Sequence, residues 1–144
     1  MREIAIFTED QLNAIYDRTT GYCHICRRKM AFSNYGRVGA RGAWEVEHSR
    51  PRARGGTNHG NNLYGACIPC NRSKGARGAR SVRRANGFAS APLSRERRSQ
   101  ARQENAVVGG AIGALLGALA GPPGAIAGLL IGARAGYVKK PDRS

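Results

Sequence analysis

The sequence has few acidic residues and few aromatic ones. Nine Asp and Glu stand against 24 Lys and Arg, which gives a formal net charge of +15 over 144 residues. This excess favours a polyanionic partner such as nucleic acid, because each cation that meets a phosphate releases a bound counterion. Charge alone is also compatible with a protein that is merely soluble or that binds anionic lipid.

The N-terminus lacks the long apolar run and the small-residue cleavage site of a secretory signal peptide. No signal peptide is therefore predicted. The expected location is the cytoplasm, or a target cell that the protein reaches as a secreted effector. The length suffices for one compact domain with an appendage.

Cysteine is scarce, but its four copies are ordered. They form two Cys-x-x-Cys pairs, Cys23 with Cys26 and Cys67 with Cys70. Two such pairs can hold one tetrahedral zinc ion through four thiolates, in a reducing compartment. Disulfides are the alternative, and they would need an oxidising compartment. The spacing predicts a structural zinc site.

Local patterns predict the elements around these pairs. Residues 8–18 read as a short helix capped by Thr8, and the glycine-rich residues 34–42 as a loop. Alternation over 43–48 predicts a strand, with Trp44 packing at its base. A second helix is expected to begin near Cys70. Two further histidines are predicted to be loop and turn residues rather than ligands, His24 and His59.

Further landmarks lie between and after the cysteine pairs. They are Glu47-His48-Ser-Arg-Pro51, Gly55-Gly56, Asn62-Leu63 and Asn71-x-x-Lys74-Gly75. Together with the cysteines, this order resembles the zinc-bearing HNH endonucleases over about residues 8–76. In that family the active site is a ββα-metal unit, a two-stranded hairpin followed by a helix around one divalent ion. The resemblance implies an α+β fold with a structural zinc.

The resemblance also implies roles for individual residues. His48 is the expected general base, and Asn62 is expected to orient it from the loop. Glu47 and Asn71 are the expected ligands of the catalytic divalent ion. The family usually has Asp where this chain has Glu47. The amide at Asn71 suits Mg²⁺ or Mn²⁺ better than a soft metal.

The chemistry of phosphodiester hydrolysis is consistent with these roles. A neutral imidazole can take a proton from water, and a hard divalent ion can stabilise the leaving 3′ oxygen. Adjacent residues of a regular strand point to opposite faces. Glu47 and His48 therefore reach one site only if the strand bends or twists there, and the resemblance alone supports that step.

The hairpin loop carries arginines near the expected cut. Arg50, Arg52 and Arg54 are predicted to contact nucleic acid. Lys74 is predicted either to contact it or simply to flank the helix. No base-reading module is visible, so we expect weak sequence specificity on DNA, which is expected to be double-stranded.

The second half of the chain changes character twice. Residues 77–104 predict a basic arm with a short helix over 94–103, because large apolar residues are few. Residues 106–133 carry no charge, and glycine recurs every fourth residue on each side of Pro122-Pro123. This spacing lines one face of a helix, so 105–137 predicts a helical hairpin whose glycine faces meet. The hairpin resembles glycine-zipper segments of bacterial membrane-associated and secreted proteins.

These features divide the chain at residues 1–76, 77–104, 105–137 and 138–144. The expected function is a metal-dependent HNH DNA endonuclease that acts as an antibacterial effector toxin or in phage defence. An immunity protein is a possible partner if the protein is a toxin, and residues 106–136 are expected to contact a membrane or to self-associate. The alternative is a zinc-stabilised nucleic-acid-binding or membrane-tethered adaptor without catalysis.

Overall fold

The computed structural model describes residues 7–141 of the chain. The chain divides into two compact units, one ending at Arg95 and the other beginning at Glu96. The first unit contains helices and a small sheet, and the second contains helices only. The first predicted boundary was residue 76, so the first unit extends further along the chain than expected.

Over the described residues, the first unit contains three α-helices, a two-stranded sheet and short 3-10 turns. In chain order its elements are α1 (Glu9–Asp17), β1 (Trp44–His48), β2 (Leu63–Cys67), α2 (Ile68–Lys74) and α3 (Ala79–Ala85). The two strands pair antiparallel, from Trp44 opposite Cys67 to His48 opposite Leu63. Helix α2 follows β2 directly, which gives the ββα order that the sequence predicts.

Local sequence explains where α1 begins. The Thr8 side chain accepts a hydrogen bond from the backbone of Gln11, and the Gln11 side chain accepts one from the backbone of Thr8. This capping box satisfies two N–H groups that a helix start leaves without a partner. The helix then buries Ile15 against the sheet.

Trp44 lies at the centre of the core of the first unit. Its side chain is fully buried, and its ring centroid lies 5.3 Å from that of Tyr16 and 5.0 Å from that of Tyr35. The indole nitrogen donates to the backbone oxygen of Phe32. Trp44 therefore has the packing role that the sequence predicts.

Residues 77–95 are part of this unit and not a free basic arm. Helix α3 buries Val82 in the same core as Trp44. Thr20 donates to the backbone oxygen of Leu93, and the Arg27 guanidinium lies over the Phe88 ring. The expectation of a linker here was wrong because a few apolar residues suffice when another element already supplies a core.

The second unit is a helical hairpin. Helix α4 (Arg95–Gly117) leads through a 3-10 turn (Ala118–Ala120) into α5 (Pro122–Val138). Between them Gly121 has φ +83, which glycine adopts without strain. The helix predicted over 94–103 is present, but it is longer than expected because α4 continues without a break to Gly117. Within residues 7–141, no helix is both long enough and apolar enough to cross a membrane.

Glycine lines the contact between α4 and α5. A Cβ atom added at Gly113 would overlap the carbonyl oxygen of Gly128, and one at Gly109 would overlap that of Gly132. Gly117 meets Gly124 in the same way. The helices approach backbone to backbone, so the structure contains the predicted hairpin with meeting glycine faces.

Candidate metal site and nucleic-acid groove

The four cysteines converge on one point beside the sheet. Their sulfur atoms all lie within 4.8 Å of one another, and Cys26 and Cys67 are 3.7 Å apart. Four sulfurs around zinc, each at about 2.3 Å, are spaced by roughly 3.8 Å along a tetrahedral edge. The donor set and its spacing therefore fit one zinc ion. Such an ion would connect the turn after α1, which carries Cys23 and Cys26, to the end of β2 and the start of α2, which carry Cys67 and Cys70.

The cluster also favours a charged thiolate. Hydrogen bonds from the Cys23 and Cys67 thiols hold the pKa of Cys26 well below its ordinary value. The hydrogen bond to Cys26 and burial raise the pKa of Cys23, and burial raises the pKa of Cys70. The hydrogen bond from Cys23 would lower the pKa of Cys67, but the hydrogen bond to Cys26 and burial outweigh it and raise that pKa. Zinc binds thiolates rather than thiols, so metal binding would release the protons that these three cysteines hold.

Glu47 lies in a closed polar cluster under α2. Its Oε1 is 2.6 Å from Lys74 Nζ, and its Oε2 is 2.5 Å from His24 Nε2. All three side chains are at most 3% exposed. The His24 ring stacks on Tyr64 at 4.8 Å between centroids. His24 occupies the predicted turn, but it is buried and bonded rather than solvated.

The charges of this cluster follow from burial and pairing. Burial lowers the pKa of His24, although the hydrogen bond to Glu47 opposes it. Burial by itself would raise the pKa of Glu47, but the hydrogen bond and charge of His24 and the Lys74 ammonium outweigh it and lower that pKa. At neutral pH Glu47 is a carboxylate, and His24 is a neutral imidazole that can donate to it.

Asn71 meets a different carboxylate. Its Nδ2 donates to Glu45 Oε2 at 2.9 Å, and Arg72 lies 3.7 Å from Glu45 Oε1. Asn71 and Lys74, three residues apart on α2, therefore contact Glu45 and Glu47, two residues apart on β1. The two predicted ligands of the catalytic ion, Glu47 and Asn71, therefore have separate partners.

The residues therefore do not fit a divalent ion at Glu47 as they stand. A metal needs a free carboxylate oxygen, and both oxygens of Glu47 are engaged by Lys74 and His24. An ion there would also lie beside the buried ammonium of Lys74. The ion would require this ion pair to open.

His48 points away from this cluster and towards the loop between the strands. Its Nε2 lies 2.8 Å from Asn58 Oδ1, so in the neutral ring Nε2 carries the proton and donates. The other ring nitrogen, Nδ1, is then the atom that can accept a proton. The side chain is half-buried. Glu47 and His48 thus point to opposite faces, as adjacent strand residues do.

Asn62 holds the loop in shape. Its Oδ1 accepts from the backbone of Arg50, and its Nδ2 donates to the backbone oxygens of Arg50 and Thr57. The bond to Thr57 fixes the backbone next to Asn58. The direct contact to His48 comes from Asn58.

A groove of about 730 Å³ lies along this loop. Arg50, Arg54 and Arg80 line it, together with Asn61 and Asn62. Two of the three predicted contact arginines line the groove, and all three are exposed. Lys74 differs from its prediction as a nucleic-acid contact, because it is buried against Glu47.

Comparison with known proteins gives a family match for part of the first unit. Residues 23–77 match the family model described as HNH endonuclease. The first unit, which contains the matched residues 23–77, is called the HNH domain. The match implies a nucleic-acid substrate, and nucleases of this family use divalent metals. No curated protein and no solved structure matches the chain.

Sequence reasoning missed three features of the HNH domain. The first is the cluster of His24, Glu47 and Lys74, which joins three distant segments. The second is Arg80, whose helix the sequence placed in a linker. The third is Asn58, which the Gly-Gly-Thr-Asn turn brings opposite His48. Only the third had a local signal, because an amide shortly after a tight turn commonly bonds across its loop.

Proposed function

We propose that the HNH domain hydrolyses phosphodiester bonds of double-stranded DNA with little sequence preference. The observation that carries this proposal is His48 at the end of β1, bonded to Asn58 in a loop that also presents arginines. The arginine-lined groove begins at Ser49, the residue after His48, and neither His48 nor Asn58 lines it. A zinc site that fits the four cysteines would brace the same hairpin. Hydrolysis of a phosphodiester requires a proton acceptor and cations that bind the phosphate backbone, and this hairpin carries both.

His48 has a defined part in this reaction. Nδ1 takes a proton from a water molecule while Nε2 stays bonded to Asn58. The water oxygen forms a bond to phosphorus, and the bond from phosphorus to the 3′ oxygen breaks with its electron pair. The leaving oxygen then takes a proton from solvent. A positioned base of this kind contributes about 10²- to 10⁴-fold to the rate.

The arginines bind the substrate through its backbone. Arg50, Arg54 and Arg80 present charge to phosphates along the groove, and Arg52 is exposed on the same loop. Phosphate contacts position a nuclease without reading bases. This supports binding to any DNA sequence.

The predicted Mg²⁺ or Mn²⁺ requires a separate test. When bound, such an ion would supply positive charge to the leaving oxygen. The proton transfer at His48 does not depend on it, and Lys74 and His24 engage both oxygens of Glu47. A titration of activity with Mg²⁺ and with Mn²⁺ decides whether the ion is needed.

Cleavage of supercoiled plasmid by the full chain tests the proposal. We expect nicked or linear product with the intact protein and loss of at least about a hundredfold in rate for His48→Ala. Both proteins must contain equal zinc and have equal far-UV circular dichroism. Equal cleavage by the two proteins would contradict the role of His48. Absence of cleavage by a zinc-loaded intact chain, with Mg²⁺ and with Mn²⁺, would contradict the nuclease.

A second candidate is a DNA-binding module without catalysis. The contact between Lys74 and Glu47 favours it, because a cation already neutralises the expected metal ligand. In that case the intact chain binds DNA in a mobility-shift assay and does not cut it. A role as an antibacterial toxin or a defence nuclease, with or without an immunity protein, stays a prediction.

A further inference from the structure

The helical hairpin turns its large apolar side chains outward. Every Val, Leu, Ile and Tyr between residues 107 and 138 is exposed, from 47% for Leu129 to 89% for Leu119. Glycine occupies the contact between the helices instead. A hairpin folded for water alone would bury its large apolar residues in that contact. The exposed apolar surface of the hairpin therefore indicates an apolar partner.

These side chains surround α5 rather than marking one side of it. Leu129, Leu130 and Ile131 are consecutive, and all three are exposed. Consecutive residues of an α-helix point about 100° apart. These three side chains therefore cover most of the surface of α5 that does not face α4. A second copy of the hairpin would cover one side only. An apolar medium that surrounds the hairpin covers all of them.

Charge is confined to one end of the hairpin. Residues 106–133 carry none. The antiparallel packing sets Gly136 against Asn105, and the Arg102 guanidinium lies 5.8 Å from the Tyr137 ring centroid. The cations of residues 134–140 therefore share an end with those of residues 95–102. The opposite end is the turn at residues 118–121, which is uncharged and includes Leu119.

This order of charge matches one leaflet of an anionic bilayer. The uncharged part of α4, residues 106–117, is roughly 18 Å long at 1.5 Å per residue. A hydrocarbon core is about 30 Å thick, so this length exceeds one leaflet and falls short of two. Lys and Arg at the membrane surface are attracted to anionic headgroups.

We propose that the hairpin inserts, turn first, into one leaflet of a membrane with anionic headgroups. The glycine contact keeps the two helices together, and their large side chains meet acyl chains. The cations of residues 95–102 and 134–140 lie among the headgroups. The insertion tethers the HNH domain to a membrane surface.

Vesicle flotation of the full chain tests this binding. We expect the protein to float with vesicles of phosphatidylglycerol and phosphatidylcholine, and at least tenfold less with phosphatidylcholine alone. The double variant Leu115→Asn/Leu130→Asn keeps every charge and changes only exposed side chains. We expect its bound fraction to fall at least tenfold, with circular dichroism and plasmid cleavage unchanged.

Three outcomes would overturn the proposal. Equal flotation of the double variant would mean that arginines of the HNH domain bind the vesicles. A stable dimer by analytical ultracentrifugation, with no flotation, would mean that a second copy covers the hairpin. The depth of insertion is read from Leu119→Trp after the Trp44 signal of the unsubstituted protein is subtracted. The remaining emission should shift to the blue with anionic vesicles and be quenched by brominated lipid. Unchanged emission would contradict insertion.

Discussion

Lys74 Nζ lies 2.6 Å from Glu47 Oε1, and the two side chains are 3% and 1% exposed. The pair joins the end of α2 to β1, and His24 binds the other carboxylate oxygen. A buried charge is tolerated only when it is paired, so the position of each of these residues depends on the others. This cluster holds the helix against the strand.

A double-mutant cycle measures this pair. Lys74→Met leaves the Glu47 charge buried without its ammonium and should lower the free energy of unfolding by about 3–5 kcal/mol. Glu47→Gln together with Lys74→Met removes both charges and should recover part of that loss. The measurement is urea unfolding with excess zinc, monitored by Trp44 fluorescence. If the changes in the free energy of unfolding for Lys74→Met alone and Glu47→Gln alone add up to that of the double variant, the pair is not coupled.

Removal of zinc should unfold the HNH domain. The cysteine site joins the turn after α1 to the end of β2. A structural zinc contributes directly to folding. We expect about one zinc per chain by elemental analysis, in line with one tetrahedral site. A strong chelator should abolish the near-UV circular dichroism of Trp44, and added zinc should restore it. Retention of that signal without metal would argue against a structural zinc.

Asn58 is predicted to affect the rate of cleavage through its hydrogen bond to His48. Asn58→Ala removes the acceptor for Nε2 and lets the ring rotate, which should lower kcat on the order of tenfold to a hundredfold. Asn58→Asp keeps an acceptor oxygen and should retain most activity. The measurement is the plasmid-nicking rate at saturating DNA. If both variants lose activity equally, the hydrogen bond is not the reason.

The groove arginines should set the salt dependence of DNA binding. Each phosphate contact contributes about 0.9 to the slope of log affinity against log salt. Arg50→Ala/Arg54→Ala should therefore reduce that slope by up to about 1.8. The matched control is Arg37→Ala/Arg41→Ala, two exposed arginines in the loop before β1. Equal changes in the two proteins would show that only net charge matters.

The glycine contact of the hairpin can be tested with two alanines. A Cβ at Gly113 overlaps the Gly128 carbonyl oxygen, whereas one at Gly110 lies 3.4 Å from the Ala133 Cβ. Gly113→Ala should separate the helices, while Gly110→Ala should be tolerated and gain up to about 1 kcal/mol of helix propensity. Cross-linking of cysteines added at positions 106 and 135, in the zinc-loaded protein, reports the separation. Equal cross-linking in both would contradict a close glycine contact.

Spacing and local pattern by themselves determined much of this protein. The two Cys-x-x-Cys pairs, the start of α1 at Thr8 and the antiparallel hairpin of α4 and α5 all follow from residues close together in sequence. Such features depend on geometry within a turn or two of chain, which residue order specifies directly. The alternation of β1 likewise placed Trp44 in the core.

Tertiary structure decided the partners of the charged and polar residues. His24, Glu47 and Lys74 come from three segments, and only folding brings them into one buried cluster. Val82 looked like an isolated apolar residue in a basic stretch, yet it completes the core around Trp44. In a low-dielectric interior, a buried charge is stabilised by the opposite charge that lies next to it in the folded chain. That neighbour can come from any distance along the sequence.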